Sequence, residues 1–325
     1  MNKDLIALNI TNGSVAVDLL EKGGIQGDML SWDDVLYEGP VSNGLDLSTL
    51  SLQRAEYIYR CGFGELESIN NSFIERDSLL ESCNQFLEVT LWFEHDLYDQ
   101  LQLLQVLSEL HRLNHEQVML VQSDHYLGWM TPEMMMPLAK TKKAVADDLY
   151  LLAQIAWQAF RSQLPYDWAK LLQRDTSAMP FLEGAVLRHL EQYPHPQNGL
   201  NRTQQQILEA VVQGSSHPGL LFKTCLEREE RQFMGDASFF LNVRDLVQGD
   251  ALALDSGGSF QCSSPSTPKE QFLGQKLMLT SFGQALLNNE EDWIEQRGIE
   301  RWFGGVHMTS DIYWRWDPEA RTLIQ

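Results

Sequence analysis

The residues with the clearest capacity for chemistry stand in one consecutive run. In LWFEHDLYDQLQLL, Leu91 to Leu104, an apolar segment stops on Glu94, His95 and Asp96 and then resumes at helical spacing. Adjacent carboxylates bind hard divalent cations or raise one another's pKa, so that one donates a proton while another stays ionised. A histidine between them titrates near neutrality when free and can serve as general base or metal ligand. Glu94, His95 and Asp96 are therefore the candidate catalytic residues. Asp96, with Asp99 three positions later, also has the spacing of a simple helix cap. A cap needs only one of the three residues, and Glu and His at the end of a doubly buried strand cost stability unless something pairs with them.

Three further turns carry polar groups of the right kind. Asn12-Gly13-Ser14 precedes a helical stripe, VAVDLLEK, and offers backbone N–H groups and the positive end of a helix dipole as an anion cradle. One glycine is far short of a dinucleotide or P-loop signature, and a helix cap through Asn12 or Ser14 explains the same residues. Asp33-Asp34, with Glu38 nearby, supplies carboxylates, so Asp33, Asp34 and Glu94 are the candidate ligands of a Mg or Mn ion. Asp124-His125 is the fourth set, grouped with Asn12, Gly13 and Ser14 as candidate ligand-binding residues; a solvated turn is the plainer explanation of Asp33-Asp34, and a packed surface ring beside Tyr126 that of His125.

Each set follows a segment that reads as a strand. Leu5 to Ile10, Met29 to Leu30, LEVTLWF and QVMLVQ are apolar runs, and LEVTLWF has the near-continuous hydrophobicity of a strand buried on both faces of a parallel sheet. Between them lie VAVDLLEK, closed by Gly23-Gly24, two helices over 48–60 and 64–83, and a leucine-periodic helix through Leu97, Leu101, Leu104, Leu107 and Leu110. This alternation predicts an α/β fold with a Rossmann-like parallel sheet over 1–128. In such sheets ligands bind outside the carboxyl ends of the strands, which would gather all four polar sets on one rim. A helical region over 129–197 follows. Residues 198–325 read as three helices, a strand, a Gly-rich turn, a strand and a helix, the outline of a winged-helix-like α+β domain, closed by an aromatic tail with Trp302, Phe303, Trp314 and Trp316.

Composition narrows the function classes. The 325 residues carry a formal charge of −21, and residues 1–125 hold 21 Asp and Glu against 6 Lys and Arg, which repels a phosphate backbone. The third helix of the C-terminal part offers Arg244 against Asp236 and Asp245, so a protein partner is expected there and DNA is not. Cys61, Cys83, Cys225 and Cys262 are far apart and form no CxxC pair, as expected of reduced cytoplasmic thiols. No run approaches the roughly 18 to 20 apolar residues of a membrane-spanning helix, and the N-terminus lacks the features of a secretory signal.

Three segments together, LNITNGSVAVDLL, GDMLSWDDVLYEGPV and LWFEHDLYDQLQLL, resemble the bacterial domain-of-unknown-function family 1835 over about residues 5–125. The tail RGIERWFGGVHMTSDIYWRWD is similar to the closing segment that such proteins often carry after a winged-helix-like region. The resemblance implies this layout and brings no activity with it. Relatives often carry Asp where this chain has Ser14, which weakens any role requiring a carboxylate at that position.

Two readings stay open from the residues alone. One is a metal-assisted hydrolase or transferase acting on a phosphate-containing small molecule or nucleotide at the sheet rim. The other is a non-enzymatic ligand-sensing or adaptor protein whose winged helix contacts a protein partner.

Overall fold

A computed structural model describes residues 7–264 and 267–325, so Leu5 and Ile6 of the expected first strand lie outside the described residues. The chain divides into two compact units, Met1–Leu187 with Trp302–His307, and Arg188–Arg301 with Met308–Gln325. In chain order the first unit contains β1 (Ala7–Thr11), α1 (Ser14–Lys22), β2 (Asp28–Ser31), β3 (Gly39–Pro40), α2 (Leu47–Arg60), α3 (Leu66–Glu81), β4 (Glu88–Phe93) and α4 (Leu97–Arg112). It continues with β5 (Val118–Gln122), α5 (Met135–Ala139), β6 (Lys143–Ala144), α6 (Asp147–Arg161) and α7 (Pro165–Ala169).

The main sheet has the order β2-β1-β4-β5-β6. Its first four strands are parallel and β6 is antiparallel to β5, so the sheet is mixed. The chain moves from β1 outward to β2, then returns to the opposite side of β1 for β4 and β5. Strand order therefore reverses between β1 and β4, the place where an open α/β sheet leaves a crevice at its carboxyl ends. Register sets the rim level. Thr11 pairs with Ser31 and with Trp92, and Phe93 pairs with Gln122.

β4 is buried on both faces, as its continuous hydrophobicity requires: Val89, Leu91, Trp92 and Phe93 are all buried, and the indole N–H of Trp92 donates to Asn9 Oδ1 at 3.0 Å. α4 is buried on more than its leucine face. It packs on β4 and on α6, and its polar residues Gln100, Gln102 and Gln105 are buried along with its leucines. Those amides hold the rim turns. Gln100 donates to Glu94 O at 2.7 Å, Gln102 donates to Asp34 O at 3.1 Å, and Gln105 accepts from Trp32 Nε1 at 2.9 Å. A buried polar group without a partner would cost about 1–3 kcal/mol, so each amide stabilises the loop it reaches.

Of the helical region over 129–197, α5 to α7 belong to the first unit. α6 buries Leu152, Ala153, Ala156, Trp157 and Phe160, a face that needs α4 for cover. Part of the aromatic tail also joins this unit, because Phe303 and Gly304 pair with Gly39 and Pro40. The two glycines there are required by close packing. Gly304 has φ +60, and a Cβ on it or on Gly305 would collide with the carbonyl oxygen of Phe160 or Arg161.

After α8 (Leu182–Leu190), the second unit holds α9 (Arg202–Val212), α10 (Pro218–Leu226), α11 (Asp236–Gln248), β7 (Leu252–Leu254), α12 (Lys269–Leu273), β8 (Leu277–Leu279) and α13 (Ser281–Leu287). α9 starts with a reciprocal capping box between Asn201 and Gln204, and β7 and β8 pair antiparallel. Trp314 and Trp316 are buried here. All four cysteines are free thiols. Among the described residues no helix is long and apolar enough to cross a membrane.

Candidate functional site

The turns after β1 and β4 meet. Asn12 Nδ2 donates to Glu94 Oε1 at 3.2 Å and to Asp99 Oδ2 at 2.8 Å, joining positions 82 and 87 residues apart. Glu94 Oε1 also accepts the backbone N–H of Leu127 at 2.9 Å, so the turn after β5 is tied in through its main chain. Asp99 turns back on β4, where its Oδ1 accepts the N–H of Glu94 at 2.6 Å. Asp96 caps α4 through a 3.2 Å bond from the N–H of Asp99. Glu94, Asp96 and Asp99 are all buried, and one carboxylate oxygen of each lies within 4.8 Å of the others.

Three buried carboxylates at this separation oppose one another's ionisation. Burial pushes the carboxyl of Asp96 up to about 7, and the charge of Glu94 adds to the effect. Asp99 is raised well above the ordinary carboxylate value by burial, then by repulsion from Asp96 and Glu94. Glu94 is raised by burial and partly restored by the N–H of Leu127 and the amide of Asn12. Every hydrogen-bond donor named here is a neutral amide. At neutral pH the group therefore shares protons, and one member can give or take a proton near pH 7.

Tyr98 closes the edge toward β2. Its hydroxyl donates to Asn12 O at 3.3 Å, and burial, followed by the charge of Asp33, raises it well above the ordinary phenol value. Asp33 itself occupies the left-handed region at φ 44, with Ser31 donating to its carboxylate. A Cβ built on Gly13 would meet Asp33 Oδ1 at 3.1 Å, so that carboxylate lies directly against the Gly13 turn. Asp33 reaches solvent, and partial desolvation raises its carboxyl. The N-cap of α1 is Gly13, with no side-chain cap from Asn12 or Ser14. Asn12 is drawn to the carboxylates and Ser14 is exposed.

The remaining expected residues are placed elsewhere. Asp34, a candidate metal ligand, is fully buried in an ion pair with Arg54 at 2.9 Å, with both side chains at 0% exposure. Arg54 also donates to the carbonyls of Glu38 and Val35 at 2.6 and 2.9 Å, so this carboxylate is committed to holding the loop after β2. His95 is buried, with its ring 4.8 Å from that of Tyr126 and 5.9 Å from that of Phe181 between centroids. Asp124 and His125 are exposed, 3.8 Å apart, on a turn shaped by Ser123.

Among the described residues, the acids whose oxygens lie close enough together to hold a metal ion are Glu94, Asp96 and Asp99, a set that shares Glu94 with the expected Asp33, Asp34 and Glu94. Asp99 was legible only as a capping partner. The signal for its inward placement is that α4 has no Lys or Arg before Arg112 and carries three glutamines between leucines, a composition suited to burial all round. No family model matches the chain, and no curated protein matches it either.

Proposed function

We propose that the first unit is a Rossmann-like domain whose carboxyl rim binds a divalent cation, Mg or Mn, and performs hydrolysis or group transfer on a phosphate-containing small molecule or nucleotide. The observation that carries this reading is the junction of Asn12 with Glu94 and Asp99 at the reversal of strand order. Carboxylate oxygens within 4.8 Å of one another suit a hard cation, whose oxygen ligands lie about 2.0–2.6 Å from the metal. A bound cation would neutralise phosphate charge and polarise the phosphorus–oxygen bonds.

The chain's own residues have separate parts in this scheme. Glu94 and Asp96 bind the cation or move a proton, and Asp99 fixes the main chain of Glu94. Asn12 spaces the carboxylates. The turn at Gly13 presents the start of α1 to an anion, but the Asp33 carboxylate beside it repels a bare phosphate. Cation and phosphate are therefore bound together. The resemblance of three segments to domain-of-unknown-function family 1835 belongs to this proposal, as a statement of shared layout.

The reading predicts Mn²⁺-dependent phosphate release from at least one member of a panel of nucleotides and sugar phosphates. Glu94→Gln, with an unchanged circular dichroism spectrum, should lose about 100-fold or more of that rate. Equal rates in the two proteins would remove Glu94 from the chemistry.

A specific observation favours a second role for the other unit. We read α9, α10 and α11 with the β7–β8 pair as a winged-helix-like domain directed at a protein partner. Its basic side chains face carboxylates: Arg228 with Glu209, Arg202 with Glu191 and Glu230, Lys223 with Glu227, Arg244 with Asp245. Tight, salt-dependent binding to duplex DNA would contradict this assignment.

A further inference from the structure

We propose that the ligand of the rim is a mononucleotide and that Trp129 stacks on its base, an inference that rests on the phosphate-site reading above. Trp129 is the most exposed large hydrophobic side chain among the described residues, at 72%. It does not hang from a loose loop. It ends a 3-10 turn, Leu127–Trp129, whose first residue is buried and donates its N–H to Glu94 at 2.9 Å. Its ring leans on Tyr126 at 4.6 Å between centroids, and Tyr126 leans in turn on His95 at 4.8 Å. An indole held from behind in this way keeps its outer face available to a flat ring.

The position of the turn selects the ligand class. A Cβ on Gly128 would lie 3.7 Å from Cγ1 of Val15, the second residue of α1, so the turn lies beside the helix start at Gly13. Val15 is itself 64% exposed. Within one small area the chain therefore offers an apolar wall, a helix N-terminus and a carboxylate group suited to a cation. A molecule using all three has a planar apolar ring at one end and a phosphate at the other. The excess of acidic residues over 1–125 disfavours a polynucleotide. A nucleoside phosphate with its cation meets every term.

Calorimetry with Mn²⁺ and each of the four ribonucleoside diphosphates, and with Mn²⁺ and ribose 5-phosphate, tests this on the full chain. At least one nucleotide should bind more tightly than ribose 5-phosphate. Trp129→Ala should weaken that nucleotide about tenfold, leave ribose 5-phosphate unchanged, and be largely rescued by Trp129→Phe. Ribose 5-phosphate binding as well as every nucleotide, or a Trp129→Ala loss equal for both ligand types, overturns the base site and leaves the phosphate site standing. Failure of all five probes on the unmodified protein removes the phosphate-site reading and this inference with it. A Trp129→Ala protein that changes from dimer to monomer in sedimentation assigns the indole to a second copy and also overturns the proposal.

Discussion

Two turns of the same rim bury acidic side chains, and they treat them in opposite ways. After β2, Asp34 meets the guanidinium of Arg54, and both are sealed from solvent. After β4, Glu94, Asp96 and Asp99 meet one another, with neutral donors from Asn12, Leu127 and the local backbone. The first arrangement satisfies its charge and fixes a loop. The second leaves negative charge and protons in competition within 4.8 Å. An uncompensated group of this kind is expensive in stability and is found where a ligand, a cation or a proton completes it. The contrast separates an acid paired with a cationic side chain from acids packed against one another, although both regions lie just past a strand.

The largest effect should come from breaking the satisfied pair. Arg54→Met strands Asp34 in the interior and frees the carbonyls of Glu38 and Val35, so denaturant unfolding at pH 7 should show a loss of about 3–5 kcal/mol. A loss below about 1 kcal/mol would show that Asp34 is not held as described.

The opposing region should respond to pH. Asp96 keeps its proton to about pH 7 in the folded chain. The unfolded chain releases it near pH 4. Folding thus takes up a proton between these values, so the contribution of Asp96 is complete below about pH 4 and is lost as pH rises through 7. Asp96→Asn keeps an N-cap oxygen and removes the charge. At pH 8 the variant should exceed the unmodified protein by on the order of a few kcal/mol in urea unfolding, the gap should narrow steadily as pH falls from 7, and the two should converge only below about pH 4. Parallel pH profiles would mean that the three carboxylates do not repel as their geometry requires.

The smallest effect is expected at the exposed turn after β5. Asp124→Ala and His125→Ala should each change stability by less than about 0.5 kcal/mol and leave any Mn²⁺-dependent rate unchanged. A large rate loss in either would bring those two side chains into the site.

Much of the first unit could be read from residue patterns, because its strands and helices have strong periodicity and clear stops. LEVTLWF, QVMLVQ and the leucine helix fall at β4, β5 and α4. Gathering Asn12, Asp33 and Glu94 near one rim followed from parallel strands alone. What sequence could not show was which acid each turn directs inward. That choice depends on Arg54, twenty positions beyond Asp34, and on glutamines of α4 that reach two different loops. Such partners leave no local spacing signal. The edge strand β6 was missed because two residues carry no period, and the return of Phe303 and Gly304 to β3 is a long-range pairing without a pattern of its own.

The most direct test of the central claim is Mn²⁺ binding followed by the loss of the free-ion electron paramagnetic resonance signal at pH 7.5. The account predicts one bound ion per chain in the unmodified protein and none at the same concentration in Glu94→Gln, with Asp124→Ala binding like the unmodified protein. Binding that is undetectable in the unmodified protein, or equal in Glu94→Gln, would show the buried carboxylates to be a proton-sharing structural group and nothing more.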